Sequence, residues 1–229
     1  MVDYGTEIIN AGGSVVIDST YKNHIYHSHG SSTVSGGLNI FDIDDIATSG
    51  LLFLKASSTI YLQPYGFIKN GSVYDKIIIG ASASGTADWI VYEECDTTSS
   101  GYTLGVNDSL GDVVFSSSEK GYVNLVNVFY YNGTFQGAGS DTIIRDATNN
   151  YIAITGGGSK YDYHGNLSVP NRYIERQMVG FKKVSTNTIN LKFYTFFSLL
   201  TSEFGSSHTL GVTTSAPNLL MEIKPPIGI

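Results

Sequence analysis

Short alternations of apolar and polar residues, broken by glycine and asparagine, constrain the fold of this chain more than any other sequence feature. The segments 122–131 and 188–194 are examples, rich in β-branched and aromatic side chains. A period of two places successive side chains on opposite faces of a strand, so that one face is buried. Asn70-Gly71 and Asn132-Gly133 separate such segments, and Asn-Gly favours the tight turn of a β-hairpin. The sequence therefore predicts many short antiparallel strands.

Strands with one apolar face are buried by packing sheet against sheet, which favours an all-β fold of the antiparallel β-sandwich, jelly-roll-like kind. The length of 229 residues suits two domains of ordinary size. The segment 96–101 lacks apolar residues. We therefore divide the chain into an N-terminal β domain, residues 1–96, and a C-terminal β domain, residues 97–229.

One local alternative concerns the segment that follows the strand predicted at 188–194. A short helix is the alternative there, because five apolar residues fit the spacing of one helix face. They are Phe193, Phe196, Phe197, Leu200 and Phe204.

An internal repeat occurs at an offset of 98 residues, where the segment 4–19 aligns without a gap on the segment 102–117. Both segments have the pattern of a strand, a turn closed by glycine and a second strand. Two explanations stay open, namely a chance likeness between hairpins and a duplicated β unit. The identical pairs are Tyr4/Tyr102, Gly13/Gly111, Val15/Val113, Val16/Val114 and Ser19/Ser117.

The first copy of this repeat resembles the opening of small tail proteins of tailed bacteriophages. The resemblance implies a structural virion protein of a tail tip or baseplate, assembled in the host cytoplasm as a homo-oligomer. It implies other phage tail proteins, including tail fibres, as partners, and a part in host attachment. The pattern marks no catalytic or ligand residue, and the second copy departs from it at Thr103 and Ser116. The residues that carry the resemblance are Tyr4, Gly5, Ile8, Asn10, Gly13, Val15, Val16, Asp18 and Ser19.

Charge and cysteine content argue against several classes of function. A formal net charge of -7, with scattered Lys and Arg, argues against a nucleic-acid partner, because such binding depends on clustered cations. A single cysteine allows no intramolecular disulfide. We expect neither a membrane span nor an export signal, since no long apolar run and no basic leader are evident.

Familiar catalytic motifs are missing, so we expect no enzymatic activity and no required cofactor. The sequence has no Gly-x-Ser-x-Gly elbow, no phosphate-binding loop and no cysteine pair with zinc spacing. Two acidic clusters keep a polysaccharide hydrolase as a third hypothesis, because two carboxylates that face each other across a cleft can hydrolyse glycosides. They are Asp42, Asp44 and Asp45, and Glu93, Glu94 and Asp96.

Two pairs of residues are candidates for binding. His27 and His29 lie two apart, and on a regular strand they share a face and could chelate a metal ion. Tyr161 and Tyr163 belong to a predicted tyrosine-rich outer loop, and tyrosine offers rigid contact area with a polar tip. These tyrosines suit the alternative function, a receptor-binding adhesin that recognises a host-surface glycan or protein. Some of the following tyrosines are expected to be exposed: Tyr26, Tyr61, Tyr65, Tyr92, Tyr130, Tyr131, Tyr161 and Tyr163.

Overall fold

The structure is a computed structural model that describes residues 7–9, 15–18, 24–47, 50–94, 105–107, 113–116, 122–131, 140–155, 159–164, 172–201 and 218–226. Within these ranges all regular secondary structure is β-strand, and no helix occurs. The strands are β1 (Glu7–Ile9), β2 (Val15–Asp18), β3 (His24–Val34), β4 (Gly37–Ile46), β5 (Leu51–Lys55), β6 (Leu62–Asn70), β7 (Val73–Ala81), β8 (Gly85–Glu94), β9 (Gly105–Asn107), β10 (Val113–Ser116), β11 (Asn124–Tyr131), β12 (Ser140–Ile143), β13 (Tyr151–Thr155), β14 (Ser159–His164), β15 (Arg172–Ser185), β16 (Thr188–Thr201) and β17 (Asn218–Lys224).

Two large antiparallel sheets form a sandwich, which confirms the predicted all-β class. The six-stranded sheet has the order β11-β17-β13-β5-β8-β3. The seven-stranded sheet has the order β12-β16-β15-β6-β7-β4, and β14 pairs with β15 beside this path. The two remaining pairs, β1-β2 and β9-β10, are separate two-stranded hairpins.

The strand order repeats within the chain. The strands β3, β8 and β5 form one half of the six-stranded sheet, and β11, β17 and β13 form the other half in the same order from the edge inward. In the second sheet, β4, β7 and β6 correspond in the same way to β12, β16 and β15. Each set follows a hairpin, so β1–β8 and β9–β17 are two equivalent units, apart from the additional β14. We call them the first unit and the second unit.

Strand pairing is the same in the two hairpins. Glu7 pairs with Asp18 and Ile8 with Ile17, and the residues 98 positions later, Gly105 with Ser116 and Val106 with Phe115, pair alike. In both hairpins the register shifts at the next residue pair toward the turn, which is Ile9 with Val15 in the first and Asn107 with Val113 in the second. Equal pairing that includes the irregularity favours the duplicated unit over a chance likeness between hairpins.

The large sheets repeat part of their pairing as well. A bulge interrupts β3-β8 between Tyr26 and Ser28, and a bulge interrupts β11-β17 at the equivalent place, between Leu125 and Asn127. In the other sheet, Phe67 opposite Ile77 corresponds to Phe181 opposite Leu191. A register is strongly specified where one face is buried. The shared registers therefore indicate that both units bury equivalent faces.

The division predicted between residues 96 and 97 lies between the two units, and both large sheets continue across it. In the six-stranded sheet β5 pairs with β13, and in the seven-stranded sheet β6 pairs with β15. Both pairings are antiparallel and join equivalent strands, as an approximate twofold axis between the units requires. The described residues therefore form one sandwich in which each sheet crosses the predicted boundary.

The six-stranded sheet is buried on both faces. One face packs against the seven-stranded sheet in a core that includes Leu54, Val91 and Phe181. The opposite face has a smaller core around Phe53 and Tyr92. The edges of this sheet meet, because Ile25 at the start of β3 bridges Tyr122 just before β11. The sheet thus curls around its second core, which explains how apolar residues on both faces avoid water.

The alternative of a short helix after the strand predicted at 188–194 is wrong for the described residues of that segment. The strand β16 runs without interruption from Thr188 to Thr201 and pairs with β15 along this length. Among the five residues that suggested a helix, Phe204 lies outside the described residues. Phe193, Phe197 and Leu200 are paired residues of the strand, so tertiary pairing overrides the local helical spacing.

Tyr92 supplies a stability prediction. Its side chain is fully buried, and its hydroxyl has no hydrogen-bond partner among the described residues. Burial raises the pKa of Tyr92 to about 12 from 10.0. The neutral hydroxyl is favoured in the folded state. The free energy of unfolding is therefore unaffected by the titration of this group below pH 10 and falls as the pH rises toward 12.

We expect Tyr92→Phe to raise the free energy of unfolding at neutral pH by about 1 kcal/mol, because it removes an unsatisfied buried hydroxyl. Its stability should also fall less steeply between pH 10 and pH 12. Urea unfolding at a series of pH values measures both effects. Tyr26→Phe is the control, since the Tyr26 hydroxyl bonds His29 Nδ1 at 2.5 Å. A clear loss of stability in Tyr92→Phe at neutral pH would contradict the expectation.

Candidate functional site

A group of polar and aromatic side chains lies on the outer face of the seven-stranded sheet. The group is contributed by the segment just before β6 and by β12, β15 and β16. We call it the outer tyrosine–lysine cluster. Its members are Tyr61, Asp141, Lys182, Asn190, Lys192 and Tyr194.

The alternation of the strands places these residues outward. On β15 and β16, the inward residues Val179, Phe181, Ile189 and Leu191 are completely buried. The residues between them therefore point away from the core. Because Phe181 lies opposite Leu62 in the neighbouring strand, the residues next to this pair, Tyr61 and Lys182, lie side by side.

Hydrogen bonds fix the polar part of the cluster. The Tyr61 hydroxyl donates to Asn190 Oδ1 at 2.6 Å. Asn190 Nδ2 in turn donates to Asp141 Oδ1 at 2.7 Å, across the β12-β16 pair. Burial, followed by the nearby Tyr194 and Asp141, raises the pKa of Tyr61. The hydroxyl therefore stays protonated at neutral pH and remains a donor to the amide.

The two tyrosine rings stack, and each has a lysine close to it. The ring centroids of Tyr61 and Tyr194 are 4.3 Å apart, with an interplanar angle of 33°. Lys182 Nζ lies 5.1 Å from the Tyr61 centroid, and Lys192 Nζ lies 5.4 Å from the Tyr194 centroid. Both distances are within the range of cation–π attraction. The cluster thus combines aromatic faces, cations, an amide and a carboxylate on a half-buried surface.

The first unit lacks most of this cluster at its equivalent positions. The pair Ile68–Lys76 of the first unit is equivalent to the pair Lys182–Asn190 of the second unit. Ile78 of the first unit is equivalent to Lys192. Counting along the same strands, Gly80 corresponds to Tyr194. The carboxylate is retained, since Asp42 bonds Lys76 as Asp141 bonds Asn190. The fold therefore forms without the tyrosine and the two lysines.

His27 and His29 lie on β3, at the place where the register of that strand shifts. The bulge at His27 breaks the two-residue alternation of β3, so residues three apart come together, and the Tyr26 hydroxyl meets His29 Nδ1 at 2.5 Å. His27 Nδ1 instead lies 2.9 Å from Ser28 Oγ. Among the residues that the structure describes, no group of three or more His, Cys, Asp or Glu side chains is placed to hold a metal ion.

Metal binding by His27 and His29 remains a prediction with a direct measurement. If the pair holds a metal, elemental analysis of protein purified without a histidine tag should give one equivalent of iron or zinc. Replacing both histidines with alanine should remove that metal, whereas His24→Ala should not. A wild-type protein free of metal after dialysis against either ion would contradict the prediction.

The acidic clusters lie in different sheets. Asp42, Asp44 and Asp45 are on β4 of the seven-stranded sheet, where Asp42 forms an ion pair with Lys76. Glu93 and Glu94 end β8 of the six-stranded sheet, and Asp96 lies outside the described residues. Facing carboxylates across a cleft are what glycoside hydrolysis needs, and residues of one strand do not supply them.

A buried carboxylate was not anticipated from the sequence. Glu222 on β17 is 1% exposed. It accepts hydrogen bonds from the backbone N–H groups of Arg145 and Asp146 at 2.8–3.0 Å, and from Asn150 Nδ2 at 2.6 Å. Its equivalent in the first unit is Val91, since Val91 pairs with Leu52 and Glu222 with Ile152. The carboxylate therefore holds the segment 145–150 against the sandwich and is fully engaged in that role.

An apolar depression of about 190 Å³ lies where the two units meet. Gly50 and residues from β5, β6, β13 and β17 form it, including Leu51, Pro64, Phe67 and Ile154. It contains no charged side chain, so it offers little to orient a ligand.

Tyr161 and Tyr163 are on β14, whose backbone pairs with β15. The segment is thus a strand where a loop was predicted, and the structure describes the backbone of both residues but not their side chains. Tyr61 was among the tyrosines expected to be exposed, and it is half-buried in the cluster. Its partners come from β12, β15 and β16, and no local sequence signal joins them to it.

Comparisons with protein-family models, with curated proteins and with solved structures give no match for this chain. In the described ranges no helix is long and apolar enough to cross a membrane.

Proposed function

We propose that this protein is a non-enzymatic structural component of a bacteriophage tail tip or baseplate, located in the virion, where it joins other tail proteins and takes part in host attachment. The observation that carries the proposal is the opening hairpin. The segment that resembles phage tail proteins forms the hairpin β1-β2, and the same hairpin recurs as β9-β10.

Neither hairpin is hydrogen-bonded to a strand of the large sheets within the described residues. An isolated two-stranded hairpin is only marginally stable in water. Its outer edges also carry unpaired backbone groups that can add to a strand of another protein. The two hairpins are therefore suited to attach the rigid sandwich to neighbouring subunits.

Exposed apolar residues on the sheet edges support assembly into a homo-oligomer. Ile40 on the edge strand β4 is 56% exposed, and Ile143 on the edge strand β12 is 71% exposed. Free edges with apolar side chains favour pairing with another chain. In a symmetric assembly such contacts recur in every subunit.

Size-exclusion chromatography with light scattering, together with binding to purified phage tail proteins, tests the proposal. The wild-type chain should form a symmetric oligomer and bind tail proteins. Ile8→Lys and Val106→Lys, at equivalent places in the two hairpins, should each weaken the binding, whereas Lys69→Gln in the β6-β7 hairpin should not. A strict monomer that binds no tail protein would count against the proposal.

A second candidate function is a receptor-binding adhesin, and the outer tyrosine–lysine cluster favours it. Stacked tyrosines flanked by cations are typical of contact surfaces. Cells of the host should bind the purified protein, and added protein should reduce infection. The adhesin candidate fails if the protein neither attaches to cells nor blocks infection.

A further inference from the structure

We infer that the outer tyrosine–lysine cluster binds a saccharide that carries carboxylate groups, such as an oligomer of a uronic acid. The inference rests on the adhesin candidate and adds to it the residues and the chemical class of the ligand. It depends on the stacked rings of Tyr61 and Tyr194, on the lysines beside them, and on the comparison between the two units.

The comparison between the units separates folding from function. Where the second unit has Lys182, Lys192 and Tyr194, the first unit has Ile68, Ile78 and Gly80. The strand pairing of the two units matches over the stretch that contains the lysines, residues 66–68 with 76–78 and residues 180–182 with 190–192. Core packing and strand pairing therefore do not require these three side chains. Residues that a fold does not need, gathered at one place on its surface, indicate binding.

The rings and the amide suit a sugar. The C–H groups on one face of a pyranose ring pack against an aromatic ring, and the sugar hydroxyls need donors and acceptors nearby. Asn190, held between the Tyr61 hydroxyl and Asp141, offers such groups. Because these bonds fix the Tyr61 ring before a ligand arrives, little side-chain entropy is lost on binding.

The lysines specify an acidic sugar. Lys182 and Lys192 lie over ring faces without a carboxylate partner among the described residues, although the chain carries a net charge of -7. A cation–π contact at an exposed site is weak, so an ammonium group can leave the ring for a ligand carboxylate and uncover the aromatic face. A carboxylate forms the stronger, charge-assisted hydrogen bond.

Binding of galacturonic acid oligomers, measured by titration calorimetry, tests the inference against two matched probes. The methyl-esterified oligomer has the same sugar rings without charge, and single-stranded oligothymidylate is an anion with stacking bases. The wild-type protein should bind the acidic oligomer in preference to both. Lys182→Gln and Lys192→Gln should each weaken this binding about tenfold, and Tyr194→Ala should abolish it.

Lys69→Gln is the control, because Lys69 Nζ lies 5.6 Å from the Tyr74 ring centroid in a similar pair away from the cluster. It should bind the acidic oligomer like wild type. Tyr194→Ala should stay folded, because glycine stands at the equivalent position of the first unit. Equal binding of acid and ester, tighter binding of oligothymidylate, or no binding of the acid would each overturn the inference.

Attachment to host cells separates this inference from the adhesin candidate. If wild-type protein does not attach to cells, the adhesin candidate fails. If wild type and Tyr194→Ala attach equally, the adhesin candidate stands and the assignment of the cluster is wrong. If wild-type protein attaches and Tyr194→Ala does not, the result supports both the adhesin candidate and the assignment of the cluster.

Discussion

Replacing Phe181 with alanine should lower the free energy of unfolding by about 3–5 kcal/mol, as is usual for a phenylalanine removed from a packed core. Phe181 is completely buried, and it lies opposite Leu62 where the second unit pairs with the first. The loss should therefore reach both units. Urea unfolding followed by the fluorescence of Trp89, which is the single tryptophan and lies in the first unit, measures the effect across the junction.

Phe67→Ala is the matched control for this prediction. Phe67 is the equivalent residue of the first unit, but it is only half-buried, so its loss should cost about half as much or less. The same Trp89 signal reports both variants. The coupling between the units would be contradicted if Phe181→Ala left the urea midpoint of the Trp89 fluorescence unchanged while circular dichroism detected unfolding of the second unit.

Replacing Glu222 with valine should destabilise the protein by about 3–5 kcal/mol, although valine is the residue that the first unit has there. The substitution leaves the N–H groups of Arg145, Asp146 and Asn150 without their acceptor, and the carboxylate they bond is buried. Each unsatisfied buried donor costs about 1–3 kcal/mol. Thermal unfolding of the variant measures the total.

Glu222→Gln separates the loss of the hydrogen-bond acceptor from a change of side-chain volume. Glutamine keeps one acceptor oxygen, so it should cost clearly less than valine. Hydrogen exchange should quicken at residues 145–150 in Glu222→Val before it changes in β5 or β8, since the carboxylate holds that segment. Equal stability of wild type and Glu222→Val would contradict the assigned role.

The strands and the hairpin repeat were predictable because their signals are local. Alternating apolar residues mark buried faces, and Asn70-Gly71 marks the turn between β6 and β7, where Gly71 has a φ of 63°. The repeat 98 residues apart rests on identical residues whose strands have equal registers. Each of these signals depends on neighbours along the chain.

Other features depend on partners far apart in sequence. A bulge at His27 interrupts the regular alternation on which the predicted His27–His29 pair depends, and Tyr26 contacts His29. Tyr61 meets Asn190 across 129 positions of the chain, and Arg145 meets Glu222 across 77. The contact of Tyr61 with Asn190 depends on the pairing of β6 with β15, and no single segment of the sequence predicts that pairing.

The pairing of the two units is the central structural claim, and an engineered disulfide tests it most directly. Lys55 on β5 lies opposite Tyr151 on β13, at the short Cα separation that a disulfide needs. With Cys95 replaced by serine, Lys55→Cys combined with Tyr151→Cys should oxidise to an intramolecular disulfide, detected by mass spectrometry. Lys55→Cys combined with Thr155→Cys, at the other end of β13, should stay reduced. Failure of the first pair to oxidise, or equal oxidation of both pairs, would contradict the claim.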